Sequence, residues 1–290
     1  MNPLRTLLFC TSFCSDEAAW RSRQRRWLDH HLALPLEHDA VFVIDDASPF
    51  VPADPDVRVL DALPPTLPGE PRAFFYRFAT HEGRIRLTGH RGWWRSFLFS
   101  LDIARAYGFE RIVHVESDAF LLSRRIVDRI NATTDGWTAY WCPQYGVPEP
   151  ALQVIAHDQF DAMAAVAERG LDALTVALAE LTIPFTRIER GYAGNRYGES
   201  RGRIPGYADF AGEVAAGMMA ADFGVLVLSA TAGVESDSEM HSEMMNERQM
   251  PRFVAVNGMD KDQADFERVI QQARERISDR IVPIYLPIGS

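Results

Sequence analysis

Three short apolar blocks, each breaking off at a polar or acidic cluster, constrain this chain more than any other feature. Thr6-Leu7-Leu8-Phe9-Cys10-Thr11 ends in small polar residues, Ala40-Val41-Phe42-Val43-Ile44 stops at Asp45-Asp46, and Arg111-Ile112-Val113-His114-Val115 stops at Glu116-Ser117-Asp118. Apolar blocks without alternation suit strands buried on both faces, because a half-exposed strand would need a polar residue at every second position. Between the second and third blocks, Trp93, Phe97, Leu98, Leu101, Ile103 and Ala104 recur at helical spacing until Gly108, a residue suited to ending a helix. This order of strand, helix and strand predicts an α/β fold whose mainly parallel sheet is covered on both faces.

Elsewhere the first 205 residues give weaker signals. The proline-rich stretch from Val51 to Pro71 predicts an extended surface loop with a short strand over Val57 to Leu60. Trp137 to Cys142 reads as a strand, Asp158 to Glu168 as a helix, and residues 186–206, rich in Gly, Arg and Tyr, as a binding loop. From Gly206 the texture changes: seven of the nine methionines lie beyond it. There the order is strand (Phe223 to Ser229), helix (Glu235 to Gln249), strand (Pro251 to Val256), helix (Ala264 to Ile277) and strand (Ile281 to Leu286). This β-α-β-α-β run is half of a doubly wound sheet. Its apolar strand faces need cover from the first part or from a partner chain.

Charge narrows the function classes. A formal charge of -10 argues against a broad nucleic-acid surface, since phosphate backbones are held by summed positive charge. No run of eighteen apolar residues and no signal-peptide pattern is found, so a soluble, cytoplasmic protein without a transmembrane segment is expected. Cys10, Cys14 and Cys142 make no disulfide framework and read as buried thiols. Lys261 is the one lysine, so chemistry that needs a lysine elsewhere in the chain is excluded.

Ligands of open parallel sheets sit beyond the carboxyl ends of the strands, where both acidic clusters fall. Glu116 and Asp118, two residues apart, can offer hard oxygen ligands to Mg²⁺ or Mn²⁺; the alternative is that they cap the next helix. The run Gly92-Trp93-Trp94-Arg95-Ser96-Phe97, followed by Tyr107-Gly108-Phe109-Glu110 and the strand to Asp118, resembles bacterial glycosyltransferases of the A-type fold. There a helix leads into a strand ending in Asp-x-Asp. The resemblance implies a nucleotide-binding sheet, a nucleoside diphosphate sugar as donor and an acceptor it does not identify. It assigns the divalent metal to Glu116 and Asp118 and the nucleoside to Asp45 or Asp46. Glu replaces the first Asp of the motif, and some relatives with weakened motifs use basic side chains, a role open to Arg91 or Arg95. A carboxylate must take the acceptor's proton if the reaction inverts, and Glu149, Asp158 and Glu189 are the candidates.

Pro205-Gly206-Tyr207-Ala208-Asp209-Phe210-Ala211-Gly212-Glu213-Val214, Gly224 to Ala230, Ala232 to Glu235 and Val256-Asn257-Gly258-Met259-Asp260 together resemble elongation factor G and its relatives. That resemblance implies a partial P-loop-NTPase-like segment over 206–290 in which Asn257 and Asp260 read guanine, with Gly258 where the family has Lys. Arg203-Ile204-Pro205-Gly206 stands in place of Asp-Thr-Pro-Gly, and no lysine precedes Lys261 to serve a P-loop. Autonomous GTP hydrolysis is therefore not expected; weak guanine-nucleotide or partner binding is.

Overall fold

A computed structural model describes residues 4–85, 89–143, 145–195 and 208–287. Among these, the chain divides into two compact units, one of residues up to 195 with 208–211 and one from 212 onward. The boundary thus falls inside the segment that resembles a translational GTPase. The residues 203–206 singled out above lie outside the described residues.

The first unit is mixed α/β. In chain order it comprises β1 (Thr6–Ser12), α1 (Glu17–Ala19), a π-helical stretch (Trp20–Arg25), α2 (Arg26–Ala33), β2 (Ala40–Asp45), β3 (Val57–Leu60) and β4 (Ala73–Arg77). It continues with α3 (Arg91–Tyr107), β5 (Arg111–Val115), β6 (Ala119–Leu121), α4 (Arg124–Asn131), β7 (Trp137–Cys142), β8 (Val147–Ala156) and α5 (Phe160–Glu168). Last come α6 (Leu171–Leu174), α7 (Ala179–Thr182), β9 (Arg187–Glu189), β10 (Gly194–Asn195) and β11 (Phe210–Gly212). Eight strands form one sheet in the order β3-β4-β2-β1-β5-β8-β7-β9. Only β8 runs against its neighbours.

Both faces of this sheet are packed, which explains the unbroken apolar blocks. Leu8 and Cys10 of β1 and Val41 and Val43 of β2 join Trp27, Leu28 and Ile126 in one core. Leu7, Phe9, Phe42 and Ile44 join Trp94, Phe97 and Leu101 of α3 in the other. Each such side chain contributes about 1.5–3 kcal/mol by leaving water. α3 ends at Gly108, whose φ of 66° and ψ of 37° is the left-handed conformation expected of a helix-terminating glycine.

Three strands of the main sheet, β4, β8 and the edge strand β9, were not legible. β4 inserts between β3 and β2, and β8, which carries Pro148 and Pro150, lies in the sheet interior. Proline removes a ladder donor, yet it is accommodated because the β7–β8 register breaks between Ala139 and Tyr140, opposite this proline-bearing part of β8. The loop expected over 186–206 is, where described, formed by β9 and β10. β10 and β11 then build a second sheet with β6, in the order β10-β11-β6.

The second unit holds α8 (Glu213–Ala220), β12 (Gly224–Ser229), α9 (Ser236–Glu247), β13 (Arg252–Asn257) and α10 (Phe266–Arg276). β12 and β13 pair in parallel, as expected of a crossover unit. Leu226 and Leu228 bury against Val234, Val269 and Ala273. The other side of the ribbon stays open: Val225, Val227 and Phe253 are 51%, 56% and 58% exposed. The strand expected over Ile281 to Leu286 does not form. Residues 281–287 instead border a cavity of about 1180 Å³ that Phe253 and Val254 of β13 also line.

Candidate active site

The sheet order decides where a ligand can enter. From β1 the chain crosses to β2 on one side, and later returns to place β5 on the other, so a crevice opens beyond the carboxyl ends of β1 and β5. A cavity of about 560 Å³ lies there, bounded by Thr11, Ser12 and Phe13 after β1, Asp46 after β2, Trp93 of α3 and Ser117 after β5.

Asp45 and Asp46 have different roles. Asp45, fully buried, accepts from the backbone N–H of Ser48 (2.7 Å) and from its hydroxyl (2.5 Å), closing the turn after β2. Burial pushes its carboxyl above the usual range, against the lowering effect of those bonds. Asp46 faces the cavity and accepts from Gly83 N–H (2.8 Å) and from Arg95, with His81 Nδ1 3.0 Å away. Ala47, between Asp45 and Ser48 in the same turn, sits at φ 60°, an uncommon backbone for a residue with a Cβ.

Arg91 and Arg95, read above as candidate anion holders, are engaged by the protein itself. Arg95 bonds Asp46 and the Thr80 carbonyl (2.6 Å), and its guanidinium lies 4.0 Å over the Phe78 ring. Arg91 bridges Glu82 (2.9 Å) and Asp172. The basic residues that do line the cavity are Arg23, Arg84, His81 and His90, none of which stood out in the sequence. Arg23 belongs to the basic run Arg21 to Arg26, which by charge patterning reads as a solvated helix face.

Glu116 does not fit a metal ligand as it is held here. Its carboxylate, 5% exposed, accepts from Thr11 Oγ1 (2.9 Å) and Trp93 Nε1, and His114 Nε2 stands 3.1 Å away. Asp118 lies two residues on, in the turn leading to β6 and partly buried. Among the described residues no group of three or more His, Cys, Asp or Glu side chains is arranged to hold a metal ion.

The three candidate acids are separated. Asp158 accepts from Gly136 N–H (2.9 Å) beside the start of β7. Because β8 is reversed, its last residue, Ala156, pairs with Arg111 at the start of β5, so Asp158 lies at the end of the sheet away from the cavity. Glu149 and Glu189 lie in register with Tyr140 from either side, toward the carboxyl end of β7. Glu149 is fully buried; Glu189 is partly exposed and paired with Arg129 (3.0 Å).

In the second unit, Asn257 ends β13 and Asp260 lies three residues on in a turn, both exposed. Gly258 between them has φ 81°, and a Cβ there would meet the Lys261 stem at 3.4 Å.

The family of the elongation factor Tu GTP binding domain is matched by residues 156–285, a span that begins at the end of β8 in the first unit. The elongation factor G-like protein of Thermotoga maritima is 42% identical over 86 residues, 30% of this chain and 13% of that protein. That of Mycobacterium tuberculosis is 35% identical over 85 residues, 29% of this chain and 12% of that protein. The chain therefore spans about an eighth of the curated relatives it matches. Among solved structures, a glycosyltransferase involved in the glycosylation of the major capsid of PBCV-1 is similar at a TM-score of 0.36 and 9% identity, over 72% of this chain and 94% of that one. A likeness at that level fixes neither fold nor activity. Among the described residues no helix is long and apolar enough to cross a membrane.

Proposed function

We propose that the first unit is a glycosyltransferase that takes its sugar from a nucleoside diphosphate donor. The observation that carries this reading is the cavity of about 560 Å³ at the switch point between β1 and β5, whose lining combines aromatic residues and two arginines with Asp46. Phe13, half exposed, packs on His81 with ring centroids 4.4 Å apart, an apolar surface suited to a base or ribose. In the reaction, the bond between the sugar's anomeric carbon and the diphosphate breaks, the acceptor oxygen bonds to that carbon, and the acceptor's proton passes to a carboxylate. Of the candidate acids in register with Tyr140, Glu189 is the partly exposed one, and we assign it that last role.

A thermal-shift panel of UDP-, GDP- and dTDP-sugars tests the reading. One sugar nucleotide should raise stability by about 2.7 kcal/mol at a hundredfold excess over its Kd, and Phe13→Ala should weaken that shift. No shift with any of them would overturn the proposal. Glu189→Gln is expected to lower kcat while leaving donor affinity unchanged.

The second reading concerns the other unit, and its support is the identity to elongation factor G-like proteins. It holds that residues 206–290 bind guanine nucleotide weakly through Asn257 and Asp260, or dock on a partner, without hydrolysis. A GTP titration that is insensitive to Asp260→Asn would count against guanine reading at that turn.

A further inference from the structure

We infer that the cavity holds the diphosphate of its nucleotide on protein cations, with Arg23 and Arg84 as the principal ligands, and not through a divalent metal. The inference rests on the transferase reading and deepens it. A carboxylate serves a hard cation through outward lone pairs, whereas that of Glu116 is turned inward among Thr11, Trp93 and His114. The indole N–H of Trp93 can only donate, and it fills a lone pair of Glu116 from the wall of the cavity itself. Asp46 is the one carboxylate among the described lining residues, and Arg95, His81 and Gly83 N–H surround it.

The same lining holds Arg23 from the π-helical stretch and Arg84 next to Gly83, with His81 and His90 on either side of that glycine. Guanidinium groups meet phosphate oxygens through two parallel N–H bonds, so two arginines from separate segments can neutralise a diphosphate as a metal would. Two guanidinium groups edging one cavity raise the local concentration of anionic ligands there.

Calorimetric titration of UDP and GDP into the full chain, with Mn²⁺ present and again in excess EDTA, separates the alternatives. The better-bound nucleotide is expected to keep its Kd within about threefold in EDTA. Arg84→Ala and Arg23→Ala should each weaken it about tenfold, with Arg84→Lys recovering part of the loss; this is the scale of one charge-assisted hydrogen bond. Circular dichroism melts that match the parent would show that these variants fold. Binding that needs Mn²⁺ and disappears in EDTA would overturn the inference and leave the transferase reading standing. Affinity unchanged in both arginine variants would also overturn it, and absence of binding under either condition would overturn both readings.

Discussion

Gly92 lies so close to Asp46 that a Cβ on the glycine would stand 2.1 Å from Oδ2 of the carboxylate. Asp46 can reach Gly83 N–H and Arg95 only because the first turn of α3 presents no side chain at that point. Gly92→Ala should therefore push Asp46 off both partners and cost about 1–3 kcal/mol, the usual range for overpacking. Gly217, with nothing within 4 Å of its notional Cβ and inside α8, is the control: Gly217→Ala should be neutral or stabilise by about 0.5–1 kcal/mol. Urea denaturation measures both, and an unchanged midpoint for Gly92→Ala would mean that Asp46 shifts at no cost.

Glu116 is expected to act as a structural acceptor. Glu116→Gln exchanges one acceptor oxygen for a donor; the Thr11 hydroxyl can turn to accept from it, but the donor-only Trp93 Nε1 loses its partner if the amide nitrogen faces it. A loss of about 1–3 kcal/mol should follow, as for other buried groups left unsatisfied. A shift in tryptophan emission should accompany the lowered Tm; unaltered stability and emission would contradict this assignment.

Asp209, although it belongs to the GTPase-like stretch, ties that stretch to the first unit. Fully buried, it accepts from Ser123 Oγ (2.5 Å), Ala193 N–H (2.8 Å) and Arg125, while its own carbonyl takes Leu122 N–H (2.7 Å). Asp209→Ala should cost about 1–3 kcal/mol through the donors it strands. A chain ended at residue 205 should melt below one ended at 212, since only the longer one retains β11. Equal melting temperatures would show that β11 adds nothing to the first unit.

His31 should make the protein acid-sensitive. Its ring is fully buried, with Nδ1 bonded to the Trp27 carbonyl (2.9 Å), and burial lowers its pKa to about 3 from the usual 6.5. The unfolded chain then takes up a proton that the folded one refuses between those values, so stability is fullest above pH 6.5 and declines as pH falls toward 3. The slope from this residue is about 1.4 kcal/mol per pH unit. His38, lowered by burial as well, acts in the same direction. His31→Leu should flatten the dependence in stability curves taken across this range, and an unchanged slope would rule out His31 as its source.

Much of the fold was readable from local pattern. Three buried strands, the helix running into Gly108, and the parallel β12–α9–β13 unit all follow from apolar spacing that neighbouring residues carry by themselves. β8 was not readable, because Pro148 and Pro150 argue against an interior strand and only a register break in its partner β7 admits them. The strand expected over 281–286 does not form although its residues have the right pattern, and among the described residues the outer edge of β13 stays unpaired.

Sequence alone determined that acidic clusters would follow β2 and β5, and that Arg would supply nearly every positive charge. Tertiary structure decided what those groups face. Asp158 caps Gly136 at the far end of the sheet because β8 runs backward, and Arg91 and Arg95 meet carboxylates brought from residues 82, 172 and 46. Arg23 and Arg84, distant in sequence, line one cavity because β1 sits between β2 and β5. Local sequence sets hydrophobic periodicity and turn chemistry over a few residues, whereas strand order and direction are settled by packing among segments tens of residues apart.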